Sequence, residues 1–203
     1  MKDLFLSIKA QLKTTRFLFF VAIMVFLVVV SFVVFLHGYL DISFKILTSD
    51  VTAAAEVPLY YGFLSQLGIL IWVSAAAICL FTYYVSKPGV IKRFFLFSGL
   101  ITLYLVLDDM FLFHEELLPR LGIHQKVVFL LIAIGVGLYA LKFRRVILNS
   151  NFILFGCAIG FFGLSLFIDN FLRDFPEVVT KLTEESAKFL GIVFWLLYFF
   201  NTG

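Results

Sequence analysis

Nine side chains suited to acid–base or metal chemistry cluster in the second half of the chain: Asp108-Asp109, His114-Glu115-Glu116, Asp169, Glu184-Glu185 and Lys188. Carboxylates and an imidazole together are ligands for zinc or another divalent cation. Ionised carboxylates also serve as general bases, and several held close together titrate as one group. These residue types give two expected sets. Asp108, Asp109, Glu115 and Glu185 are candidate catalytic groups with Lys188 as their charge partner, and Asp109, His114, Asp169 and Glu184 are candidate metal ligands.

The elements that carry them are apolar. The 203-residue chain is 63% hydrophobic and 14% charged, with 28 Phe and a mean hydropathy of +1.08, well above soluble usage. A helix needs about 20 residues to cross a hydrocarbon core of roughly 30 Å. Runs of that kind between charged or turn-forming breaks predict an all-α, polytopic membrane helix bundle. Six transmembrane helices are expected, at residues 17–36, 63–85, 94–115, 127–143, 152–171 and 184–201, in one integral membrane domain over 1–203. The breaks hold Pro58, Lys87-Pro88-Gly89, Pro119 with Gly122, Asn149-Ser150-Asn151 and Pro176. The first run is followed by His37-Gly38-Tyr39 rather than a cleavage signal, so it reads as a retained span. Cys79 and Cys157 fall inside apolar runs and read as packing residues.

Orientation follows from Lys and Arg, which stay preferentially on the cytoplasmic side. The amino terminus, the second loop and the fourth loop hold 10 of the 16 basic residues, while 12 of the 13 acids fall on the opposite side. The formal balance is +9 on one side and −6 on the other. A missed or invented span would have mixed these charges, so both termini are expected in the cytoplasm and the acids at the outer face.

Span length then draws acids into the bilayer. The third span has only 14 uninterrupted apolar residues, Phe94 to Leu107, before Asp108 and Asp109. It must continue past them, which sets the pair about 21 to 22 Å from the cytoplasmic edge at a rise of 1.5 Å per residue. The sixth span has 12 clean apolar residues, Phe189 to Phe200, and must take in Lys188, Glu185 and Glu184. By the same rise Glu185 lies about 22 Å, and Asp169 about 25 Å, from the inner ends of their helices. Three helices thus deliver acids to nearly one level in the outer third of the membrane.

At 100° per residue, Asp108 and Glu115 share one helical face, Asp109 and Glu116 a neighbouring one, and His114 points away from the Asp108 face. Glu184, Lys188, Gly191, Trp195 and Tyr198 form one stripe that should face the bundle, because a charge turned to lipid near the helix centre costs roughly 2.5 to 3.5 kcal/mol. Glu184 and Glu185 after Thr183 also fit first-turn acids behind a Thr cap. Asp174-Phe175-Pro176-Glu177 reads as an earlier start for the same helix. His37 and His124 read as interfacial.

No HxxH, HxxxH, ExxH or HExxH spacing and no phosphate-binding loop occurs, and topology accounts for the inner basic residues, so nucleic acid is not an expected partner. The mixture of Asp, His and intramembrane polar residues is similar in kind to that of ceramidase-like membrane hydrolases, although their histidine spacing is absent. The expected function is a metal-dependent, hydrolase-type enzyme acting on a lipid or lipid-linked substrate, with a divalent metal ion such as zinc as cofactor. A cation- or proton-coupled transporter, or an accessory subunit of a membrane complex, uses the same residues differently. Membrane lipid is the expected surrounding, a second copy or a membrane-complex subunit an expected partner, and a bacterial inner membrane the expected location.

Overall fold

The structure is a computed structural model that describes residues 2–49, 51–58, 60–171 and 176–203. Among the described residues the fold is helical and no strand occurs. Two compact units are present, Met1–Tyr61 and Gly62–Gly203.

The first unit is built on α1 (Lys2–Leu40), which continues past His37 and is followed by Asp41, a residue with positive φ. His37 is used locally. Its Nδ1 lies 2.8 Å from the Ile42 carbonyl oxygen and its ring sits 4.0 Å from that of Phe44. Two short turns follow, Phe44–Thr48 and Val51–Ala54.

The second unit holds α2 (Phe63–Val85), α3 (Val90–Phe111), α4 (Gln125–Lys142), α5 (Phe152–Phe171) and α6 (Glu177–Thr202). Among the described residues five helical segments are long and apolar enough to cross a membrane: Phe19–Leu40, Phe63–Val85, Val90–Phe111, Gln125–Lys142 and Phe152–Asp169. The sixth helix, α6, is longer than any of the others in its unit, but its first half carries Lys181, Glu184, Glu185 and Lys188. Large apolar side chains such as Leu70, Phe81, Leu131, Leu138 and Phe200 face outward, an arrangement compatible with a lipid surrounding.

Within this unit α2 packs against both α3 and α6, and α6 also packs against α5. Side chains also join α3 to α6 directly, Phe94 and Phe95 meeting Phe199. Their shared core is aromatic, with Trp72, Phe94, Phe95, Tyr139, Trp195, Tyr198 and Phe199 buried together. Small residues set the closest approaches. A Cβ on Gly191 would lie 2.6 Å from the Phe162 ring, so the absent side chain is what lets α5 lie against α6. Cys79 and Cys157 are free thiols, and Cys79 is buried in this core, as packing residues would be.

Candidate functional site

The third helix stops earlier than span length alone predicts. Leu112 takes a left-handed conformation, φ 52°, and its N–H bonds to the Asp108 carbonyl oxygen. A π-helical turn, Phe113–Leu117, follows, and a short helix, Leu118–Arg120, leads on towards α4. The expected continuous span to residue 115 is corrected accordingly: it ends at Phe111, and the face drawn from Asp108 to Glu115 along one straight helix does not exist. An L-residue at positive φ reverses the local path.

That reversal changes which groups meet. His114, placed off the Asp108 face by a straight helix, folds back onto it. Its backbone N–H donates to Asp108 Oδ1 at 3.1 Å, and its Nδ1 lies 2.6 Å from Asp108 Oδ2. Both residues are buried, and the imidazole rests 4.8 Å from the Phe129 ring of α4. The other ring nitrogen, Nε2, is 3.4 Å from Glu115 Oε1. A ring with a carboxylate at each nitrogen is stabilised as the imidazolium. Burial pulls the His114 pKa down, but the two carboxylates outweigh it and the value rises to about 9. The same contact, ahead of the opposing effect of burial, holds the Glu115 carboxyl below its usual range.

Asp109, the neighbour of Asp108, turns to a different helix. Lys188 of α6 donates to its Oδ1, forming an ion pair shielded from the surroundings. Asp109 Oδ2 is buried with no hydrogen-bond partner among the described residues. Glu185 and Glu115 are within electrostatic reach of the same ammonium. Lys188 is therefore a cation to which α3, the π-helical turn and α6 all bring carboxylates, and its direct contact is across the bundle, with Asp109.

Glu184 and Glu185 are not first-turn acids, because α6 begins at Glu177, well before them, with Pro176 at its cap. Asp174 lies outside the described residues. Glu184 pairs with Lys181 one turn earlier, at 3.2 Å, and Asp169 is close enough to act on the charges of both. Asp169 and Glu184 thus belong to a neighbouring group rather than to the Asp109 contact itself. Glu116 forms an exposed pair with Arg120 at 2.5 Å. His124 caps α4, its Nδ1 accepting from the Lys126 N–H at 3.2 Å. Among the described residues no three His, Cys, Asp or Glu side chains come together as a set able to hold a metal ion.

Beneath the ion pair runs a second contact that motif reading missed. Trp195 Nε1 of α6 donates to Thr102 Oγ1 of α3 at 3.0 Å. Thr102 itself donates to the Ser98 carbonyl oxygen, and Ser98 Oγ lies 2.6 Å from the Tyr139 hydroxyl of α4. Thr102 and Asp109 are two turns apart on α3, as are Lys188 and Trp195 on α6, so antiparallel helices present both pairs in one register. The signal was available as equal spacing on two helices, but nothing in either segment names its partner. Lys181 was legible too, as a basic residue three positions before Glu184.

No curated protein and no solved structure matches the chain. A family model matches residues 12–202, and the chain belongs to that family, described as Domain of unknown function (DUF8692).

Proposed function

We propose that the chain is a six-span integral membrane protein with both termini in the cytoplasm, whose outer-level cluster exchanges a cation or proton in transport. The segregation of 12 of 13 acids from 10 of 16 basic residues supports the orientation. The length of α6, from Glu177 to Thr202, and the partnering of Lys188 with Asp109 support a sixth crossing. A plasma membrane, with its basic side towards the cytoplasm, fits that orientation.

The observation that carries the transport reading is the Asp109 carboxylate, with one oxygen on Lys188 and the other buried without a hydrogen-bond partner among the described residues. A cation arriving at Asp109 competes with the Lys188 ammonium for one carboxylate. Glu185 and Glu115 supply a second negative environment for that ammonium when it is displaced. Two alternative charge pairings of nearly equal cost are the physical requirement for a reversible ion site.

In proteoliposomes of purified protein with a trapped pH or cation indicator, an imposed proton, sodium or potassium gradient should drive a flux. Asp109→Asn and Lys188→Met should each abolish it, while Glu116→Gln at the exposed pair should not. Absence of flux under every imposed gradient would leave the ion pairs with a packing role only.

A second reading, metal-dependent hydrolysis of a lipid or lipid-linked substrate, draws support from Asp108 at His114 Nδ1, since a carboxylate there orients a ligating or basic imidazole. It needs Nε2 to leave Glu115. Elemental analysis of detergent-purified protein tests it. Stoichiometric zinc or another divalent metal that disappears in the Asp108→Ala/Asp109→Ala double variant supports it, and an unchanged content in that variant counts against it.

A further inference from the structure

Helices α3 and α4 meet at their ends and diverge between them. At the outer end the π-helical turn joins them, and at the inner end Ser98 bonds to Tyr139 while Phe94 and Phe97 lie against Phe143. Between these ends lies an open groove of about 370 Å³. Phe97, Leu100 and Tyr104 line one wall, and Leu131, Gly135 and Val136 the other. A Cβ on Gly135 would meet nothing within 4 Å, so the groove is open at its middle.

The groove has a charged end. The Lys142 ammonium lies 4.0 Å from the centre of the Phe97 ring, on the innermost aromatic of the groove. An ammonium over a ring face keeps its other sides available to an anion. From Phe97 to Tyr104 the groove runs about 10 Å along α3, which fits within one leaflet's roughly 15 Å of hydrocarbon. Apolar walls that take a segment of an acyl chain and end at a cation match one class of molecule.

We infer that this groove binds a phospholipid with an anionic headgroup from the cytoplasmic leaflet, its acyl chain between α3 and α4 and its phosphate at Lys142. The inference rests on the spanning arrangement with Lys142 inside, not on ion exchange at Asp109, so loss of flux and loss of lipid are separate results. Basic side chains at a membrane surface attract anionic lipid with about a five-fold gain in affinity each.

The test is native mass spectrometry of delipidated full-length protein supplied with equal phosphatidylglycerol and phosphatidylcholine. Phosphatidylglycerol should be retained several-fold more. Lys142→Ala should reduce that preference by about five-fold. Gly135→Leu, a change with space for its side chain, should lower retention of both lipids. Excess inorganic phosphate should leave retention unchanged. Equal retention of the two lipids, indifference to both substitutions, displacement by phosphate alone, or a dimer that carries no lipid would each overturn the assignment.

Discussion

Lys188 reaches across the bundle from α6 to Asp109 on α3, and two turns further in Trp195 makes the same crossing to Thr102. Phe199 of α6 also meets the rings of Phe94 and Phe95 on α3. The two polar contacts and these rings together set the relative register of α3 and α6. Removing one member of a buried ion pair leaves an uncompensated charge, which costs about 3 to 5 kcal/mol. Lys188→Met should accordingly destabilise the protein by that order in thermal unfolding in detergent, as should Asp109→Leu. The double variant should recover most of the loss, because the desolvation cost leaves with both charges. Additive losses in the double variant would show that the two residues do not act as a pair.

A pH dependence follows from His114. Its pKa is raised above the unfolded value, so the stability it contributes is fully present below about pH 6.5 and is lost as pH rises through about 9. The melting temperature should fall between pH 7 and pH 10. In His114→Gln the fall should be much smaller, since Gln holds a neutral hydrogen bond to Asp108 at every pH. An equal slope in the two proteins would mean that other groups carry the dependence.

How much of this was legible differs between the helices and the site. Runs of apolar residues, with breaks at Pro88, Gly89 and Pro176, gave the helices because hydrocarbon thickness imposes a length that composition reveals. Of the stripe expected along α6, Lys188 and Trp195 turn to α3, at Asp109 and Thr102. The pairing of Asp108 with His114 was hidden. It depends on the conformation of Leu112, a residue with no intrinsic preference for positive φ, which the surrounding contacts hold in place. Straight-helix geometry therefore put the imidazole on the wrong side. Which acid Lys188 would choose was hidden for a different reason, since long-range partners depend on packing that neither segment encodes alone.

The Trp195–Thr102 hydrogen bond should show the asymmetry of buried polar groups. Thr102→Val keeps the shape but strands the indole N–H, at a cost of about 1 to 3 kcal/mol. Trp195→Phe made in the Thr102→Val background should cost less than it does in the native protein, because the stranded donor is already lost. A double-mutant cycle on thermal stability checks this, and a coupling energy near zero would show that the contact contributes nothing beyond packing.

Close approach of α5 and α6 at Gly191 should be sensitive to one methyl group. A Cβ there would meet two carbons of the Phe162 ring at 2.6 Å, and Phe162 is itself stacked on Trp72 with ring centres 5.3 Å apart. The ring has little room to turn away. Overpacking of this kind costs about 1 to 3 kcal/mol, so Gly191→Ala should lower the melting temperature. Phe162→Leu in the same chain should restore part of it, at a smaller cavity cost than Phe162→Leu shows alone. If Gly191→Ala is neutral, the two helices have slack that their contact does not reveal.

The proposed crossing of α6 has its own measurement, because a helix that carries Glu184, Glu185 and Lys188 enters a bilayer only if those charges are met inside the bundle. With Cys79 and Cys157 replaced by Ala, single cysteines at Lys87, Ile123 and Asn201 report three positions along the path. An impermeant maleimide applied to intact cells should label Ile123→Cys, and should reach Lys87→Cys and Asn201→Cys only after lysis. Lys87 tests the basic loop and Asn201 the inner end of α6. Labelling of Asn201→Cys in intact cells would place both ends of α6 on one side, and the Lys188–Asp109 pair would then belong to a helix lying against the outer face.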